Sequence, residues 1–337
     1  MVRVTSGRVL TAVAADGSTA QAVDEGLGVP ILVLHGGMGD SSAWVRVTDL
    51  LRDRFRTVRL ERRQYRLELP RKITMAQEVE HVTAVARRLD RPLLVGHSSG
   101  AVLALEALVA EPELYSGAVL YEPPAVIDKP LGGHSDAQVA AGGDPGQASD
   151  GRARAAQAEA KPGETSDARA REALAQGKPG ETSDMRAREA LAQGKPGETS
   201  GMRAREALAK GRPGEAMAIF LREVVELKPL MARLAGVAIG LSPALRSRVE
   251  RQLDDLDAIN ELGVRLAAYA RIELPILLLG GDKSPKHLSD RLDALEGVLP
   301  KSRRLLLHGQ GHGAERSAPE RVARAITKHI DEELAPR

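Results

Sequence analysis

The chain contains no cysteine. Disulfides, thiolate metal sites and a cysteine nucleophile are excluded together. Aromatic residues are nearly as scarce, with one Trp, four Tyr and two Phe among 337 residues. A pocket that grips its ligand by aromatic stacking is therefore not expected, and aliphatic side chains must supply the lining. No run approaches the roughly 18 apolar residues of a membrane span. The N-terminal MVRVTSGRVLTAVAADG has no apolar core behind a basic start, which a secretory signal would need. Net charge is small, formally +2 at pH 7, so there is no basic footprint for nucleic acid. No cluster of His and carboxylates has ligand spacing, and neither a metal nor a cofactor is implied. The expectation is a cytoplasmic protein with a small-molecule substrate, no nucleic-acid partner and no membrane partner. Nothing in the sequence signals an oligomeric state.

What is present is a globular composition, 42% hydrophobic and 28% charged, arranged as alternating strands and helices. Residues 8–23 read as two short strands around an Asp16-Gly17 turn. PILVLHGG (30–37) is a strand apolar on both faces, and FRTVRLERR (55–63) is another. ITMAQEVEHVTAVARRL (73–89) repeats apolar residues at helical spacing. Then follow the strand PLLVGH, the helix SGAVLALEALVAEP and the strand GAVLYEP. The same grammar returns in LPILLLGG (274–281), HLSDRLDALEGVLP, RRLLLHG and the closing helix APERVARAITKHIDEEL. Such alternation predicts an α/β fold, a mostly parallel sheet with helices on both faces.

Between these blocks, roughly 123–273, there is no strand signal, and the segment reads as a helical insertion. Within it KPGETSDARAREALAQG (161–177) recurs at 178–194 and 195–211, with a degenerate earlier copy at 144–160. Each 17-residue unit reads as a short helix with Ser166 or Ser183 as N-cap and Gly with Lys-Pro-Gly as its stop. One Leu and a few Ala per unit bury little, and an isolated helix of about 11 residues is marginal in water. The repeats are either a tolerated expansion or an interaction arm.

The chemistry centres on Gly96-His97-Ser98-Ser99-Gly100, which satisfies G-x-S-x-G between a buried strand and an apolar helix. A sharp turn there lifts a serine hydroxyl above the strand ends and requires small residues two positions away on each side. Ser98 is the candidate nucleophile. Negative charge developing on an acyl oxygen needs N–H donors. Ser99 is one, and His35-Gly36-Gly37-Met38 offers the other, at Gly37 or alternatively Met38. Neither G-x-x-x-x-G-K-[ST] nor G-x-G-x-x-G occurs there, so a phosphate-binding loop is disfavoured. The general base is His312, in a glycine-rich loop after the last strand. His308 at the strand end reads as a packing residue or as one that supports the site from behind.

The motifs H-G-G, G-H-S-S-G and G-Q-G-H, in this order and on these elements, resemble the α/β-hydrolase fold superfamily. The likeness is greatest to small serine hydrolases of the esterase, lactonase and cofactor-free perhydrolase type. It covers residues 1 to about 125 and about 213 to 337. The resemblance implies a core in two parts, 1–122 and 274–337, around a helical cap at 123–273 that includes the repeats at 144–211. It also implies an acid for the triad, commonly in the loop after the seventh strand. There Asp282 stands out of register, with Lys283 and Ser284 at the counted positions. Some members take the acid from the preceding strand, where Glu122 ends GAVLYEPP. Glu122 is the favoured acid and Asp282 the alternative.

Where relatives read D-R-R-G-x-G-x-S, this chain has Glu61-Arg62-Arg63-Gln64-Tyr65-Arg66-Leu67-Glu68, with both glycines gone. Candidate lining from the cap is Met217, Ile219, Phe220, Leu221, Leu230 and Met231. The resemblance implies hydrolysis of a small ester, thioester or lactone through an acyl-enzyme. Perhydrolysis or cleavage of a C–C bond would use the same triad. A hydrolase fold kept as a non-catalytic small-molecule receptor is the alternative from another class.

Overall fold

The computed structural model describes residues 7–133 and 199–334. Eight strands form one sheet: β1 (Arg8–Val13), β2 (Thr19–Glu25), β3 (Pro30–Leu34), β4 (Arg56–Glu61), β5 (Leu93–His97), β6 (Gly117–Tyr121), β7 (Ile276–Gly281) and β8 (Ser302–Leu307). Their order is β1-β2-β4-β3-β5-β6-β7-β8. β1 and β2 form a hairpin, and β2 runs antiparallel to β4. Every pairing from β4 to β8 is parallel.

The central strands read as continuous apolar runs because both of their faces are covered. Leu32, Leu34, Leu94, Ala118, Leu120 and Leu278 point into one core with α2 (Met75–Ala86) and α3 (Ser99–Ala110). Ile31, Val33, Leu93, Val95, Val119 and Leu277 point into the other, with α1 (Val45–Leu51) and α12 (Pro319–Glu333). α2 begins at a capping box: Thr74 accepts from Gln77 N–H, and the Gln77 side chain accepts from Thr74 N–H.

Six helices lie between β6 and β7 in the described residues: α4 (Ser200–Ala209), α5 (Pro213–Glu223), α6 (Pro229–Leu241), α7 (Pro243–Arg246), α8 (Val249–Leu262) and α9 (Leu266–Tyr269). Proline opens α5, α6 and α7, where a missing N–H costs nothing. α10 (Lys286–Glu296), α11 (Ala314–Ser317) and α12 complete the fold. Residues up to Gly133 and from Thr199 onward make one compact unit, so these helices share the body of the sheet.

The repeats up to Glu198 lie outside the described residues. The last copy enters them at Thr199, and its N-cap is one residue earlier than the serine-cap reading expects. Thr199 accepts from Met202 N–H, while Ser200 is buried and donates to Gly132 O at 2.8 Å. The serine is needed for packing, so the threonine caps.

Candidate active site

The C-terminal ends of β3, β5, β6 and β7 meet at one edge of the sheet, where ligands bind in open α/β sheets. Leaving β5, the chain enters α3 through a single residue, Ser98, at φ 53° and ψ −127°. That conformation costs on the order of 1–3 kcal/mol for a residue with a side chain. Ser98 N–H donates to Tyr121 O at 2.9 Å, and Ser98 O accepts from Ala101 N–H at 2.8 Å. A Cβ at Gly96 would stand 2.6 Å from Ala101 Cα, and one at Gly100 would stand 2.4 Å from His35 O. The turn closes only with glycine at both positions. Ser99 opens α3, so its N–H has no intrahelical acceptor.

Glu122, at the end of β6, is likewise held at positive φ, 46°. Its buried carboxylate is held on both oxygens. Gly281 N–H donates to Oε1 at 2.7 Å, and His312 Nδ1 lies 2.6 Å from Oε2. Nδ1–H donation to the carboxylate leaves Nε2 of His312 as an acceptor. Burial pushes the Glu122 carboxyl up, but the hydrogen bond and charge of His312, the Ser284 side chain and the Gly281 N–H outweigh it. The group sits below its ordinary range.

Two further side chains hold the loop that carries His312. His97 Nε2–H donates to His312 O at 2.8 Å, with its ring against the His312 ring. The Tyr121 hydroxyl donates to Gly311 O and accepts from Ala314 N–H. His97 and His35 are both neutral, each pushed down to about 3 chiefly by burial, with the Arg62 charge adding to it at His35. Asp282 is elsewhere: it pairs with His308 at 3.2 Å and accepts from Gly309 N–H at 2.6 Å. His308 is not a packing residue, because its side chain is 86% exposed. Ser98 and His312 line one cavity without a hydrogen bond between them among the described residues. Such bonds commonly tighten only with substrate present.

Gly37 faces not open space but Gln252 on α8, whose Oε1 would lie 2.0 Å from a Cβ placed there. Gln252 is in turn 3.0 Å from the Tyr65 hydroxyl. Met38 has φ 57° and its carbonyl accepts from Arg248 at 3.2 Å. Met38, Ser98 and Glu122 thus put three positive-φ side-chain residues around one site. Sequence reading missed Gln252, because nothing in VERQLDDLDAINEL marks which polar residue turns inward.

It also missed Arg62. The guanidinium is fully buried and all its N–H groups are engaged. They reach Glu78 Oε1 (2.7 Å), Asp255 Oδ1 (2.8 Å), Ser99 Oγ (2.7 Å) and, at 3.3 Å, His35 O. It joins α8 to the core through Ser99, the residue after Ser98. The loop lost its family glycines at no cost, since it is a 3-10 turn flanked by Arg62 at φ −60° and Arg66 at φ −79°. Removing the cation would leave two buried carboxylates facing each other. Arg62→Met should cost about 3–5 kcal/mol in urea unfolding. Adding Glu78→Leu and Asp255→Leu should recover part of that loss. A single variant as stable as wild type would show the network to be energetically idle.

The cavity is narrow, about 50 Å³, and mostly aliphatic. Leu131, Phe220, Val224, Val225, Leu256, Ile259 and Leu288 line it with Ser98, Gln252, His287 and His312. Of the six cap residues expected there, only Phe220 takes part. Met217 is buried in the core, and Leu230 and Met231 are exposed on the far side of α6. Apolar character marked these residues but not which of them met the sheet. His287 is a second imidazole in the wall, with Nδ1 3.1 Å from Glu226 Oε2.

A family profile described as "Alpha/beta hydrolase family" matches residues 31–325. Among solved structures, an alpha/beta hydrolase from Sphaerobacter thermophilus DSM 20745 is 18% identical with a TM-score of 0.65, covering 95% of this chain and 100% of that one. An esterase from Exiguobacterium antarcticum is 15% identical with a TM-score of 0.61, covering 96% and 100%. A meta-cleavage product hydrolase from Pseudomonas fluorescens IP01 is 14% identical with a TM-score of 0.57, covering 96% and 97%. At these identities the likeness is one of fold. No curated protein sequence matches the chain.

Proposed function

The chain belongs to the alpha/beta hydrolase family, and on that premise we propose that it cleaves a small ester, thioester or lactone through an acyl-enzyme. One observation carries the reading. A serine held at φ 53° shares a cavity with an imidazole whose Nδ1 is 2.6 Å from a buried carboxylate. His312 Nε2 takes the proton from Ser98 Oγ as that oxygen attacks the carbonyl. Glu122 holds the tautomer and stabilises the imidazolium. The N–H groups of Ser99 and Gly37, with Met38 as the alternative, receive the oxyanion. The imidazolium then protonates the leaving group, and the neutral ring activates water to release the acid. The cavity is far smaller than the roughly 300–1,000 Å³ of pockets for large ligands, which supports a short aliphatic acyl group. The helices α4 to α9 serve as the cap over it.

Labelling by a fluorophosphonate, followed by intact mass spectrometry, tests the nucleophile. One adduct on wild type and none on Ser98→Ala is the expected result. An unlabelled, well-folded wild type would overturn it and favour a non-catalytic small-molecule receptor on the same fold.

A further inference from the structure

Helix α6, PLMARLAGVAIGL, is apolar around its whole circumference, with Arg233 its single charged residue. A helix of that kind needs cover on every side. One side has it. Ala232 and Gly236 are buried, and a Cβ at Gly236 would lie 2.4 Å from Gly214 O at the start of α5. The opposite side faces water: Leu230, Met231, Leu234, Val237 and Leu241 are each between 55% and 77% exposed. Positions 230, 234, 237 and 241 follow the 4-3-4 spacing of a single stripe. Single exposed apolar residues are ordinary, but a continuous stripe marks an interaction surface.

Its charge says what kind. From Leu227 to Val249 there is no Asp or Glu, while Lys228, Arg233, Arg246 and Arg248 are present. Arg248 is engaged with Asp40 and Met38 O. The other three are exposed and have no acidic partner among the described residues. A second copy docked through this stripe would bring uncompensated cations toward cations. An apolar ridge rimmed by unpaired cations fits a surface that is apolar within and anionic outside.

We propose that α6 docks the protein on an anionic lipid surface. The stripe lies at the boundary of headgroups and acyl chains, and Lys228, Arg233 and Arg246 meet the anionic headgroups. The contact lies on the membrane rather than through it; among the described residues no helix is long and apolar enough to cross one. The docking face is one helix away from the cavity, since α5 packs on α6 and supplies Phe220 to the lining. An apolar ester partitioned into lipid would meet the protein on that side.

Co-sedimentation of the full chain with phosphatidylcholine vesicles, with and without a quarter of phosphatidylglycerol, tests this. Binding should require the anionic lipid and weaken as salt is raised. The triple variant Lys228→Glu, Arg233→Glu, Arg246→Glu should bind at least a hundredfold more weakly, given the typical contribution of each surface cation. Leu234→Asp with Val237→Asp should abolish binding. Both changes are on exposed positions outside the active site, so thermal stability and labelling of Ser98 by fluorophosphonate should stay as in wild type. Wild type that fails to bind anionic vesicles overturns the proposal. So does equal binding to vesicles of phosphatidylcholine alone. A dimer in sedimentation velocity that Leu234→Asp dissolves, with no vesicle binding, would make a second copy the occupant.

Discussion

Glu122→Gln should lower kcat/KM for any ester the wild type cleaves by about 10³–10⁴-fold, the scale seen when the histidine's carboxylate partner becomes an amide. Asp282→Asn should leave it within about twofold, since an exposed residue away from the reacting groups has little to contribute. The reason is the double acceptance at Glu122. Its two oxygens each accept a hydrogen bond, from Gly281 N–H and from His312 Nδ1–H. Glutamine has one oxygen. If that oxygen stays with Gly281, the amide NH₂ faces Nδ1, and the ring must protonate Nε2, which then cannot accept from Ser98. If the oxygen turns to Nδ1, the NH₂ meets Gly281 N–H and a buried donor is left facing a donor. Either way no charge remains to stabilise the imidazolium. The short-chain ester p-nitrophenyl acetate suffices as first substrate, with thermal melting as the control for folding. The reverse ranking of the two variants would move the acid to Asp282. Loss of both activities with intact folding would mean that the two carboxylates share the role.

How much of this was visible in the sequence depends on the range of each contact. The sheet was legible because β3, β5, β6 and β7 are apolar on both faces, so the runs betray them without any partner being known. The turn at Ser98 was legible because Gly96 and Gly100 answer to atoms a few residues away or on the adjacent strand. Glu122 could be singled out because one helix and one strand separate it from Ser98, which returns it to the same sheet edge. The roof of the site was not legible. Asp254 and Asp255 on α8 look like a solvated pair, yet both are buried. Their partners are Arg71 and Arg205 for one and Arg62 for the other. Arg62 and Asp255 are 193 residues apart, and no local pattern couples them. The cap lining failed for the same reason. The absence of strand signals marked the insertion as helical, but the two sides of α6 cannot be told apart until α5 is seen to occupy one.

Lowering the pH from about 7 to 5 should destabilise the protein, through four histidines kept neutral by burial. His35, His81, His97 and His329 are all buried, and their values are pushed down to about 3, 4, 3 and 4. Desolvation is the largest cause in each, with positive neighbours adding to it, such as Arg62 at His35 and Arg303 at His329. Hydrogen bonding points the same way for two of them. His35 Nε2 accepts from Arg62 N–H, and His329 Nδ1 accepts from the Arg303 guanidinium, so a proton at either atom would displace a donor. The sign follows from where protons bind. An unfolded histidine titrates near 6.5, while the folded ones are pushed down to about 3 or 4. Between those values the unfolded chain binds protons that the folded chain refuses, so stability rises with pH. It is complete above about 6.5 and is lost as pH falls toward the folded values. At pH 5 each group contributes a loss on the order of 2 kcal/mol, opposed in part by Glu61, Glu78 and Glu315, whose carboxyls burial pushes up so that they favour the folded chain as pH falls. The depressed Glu122 adds a further loss only below the ordinary carboxylate range, so it cannot account for a decline that begins near 6.5. Urea midpoints measured from pH 7.5 to 5 check this directly. A flat profile down to pH 5 would mean that the folded protein admits these protons. His329→Phe, which removes one of the four groups far from Ser98, should remove about a quarter of the histidine contribution to the slope, by simple proton counting.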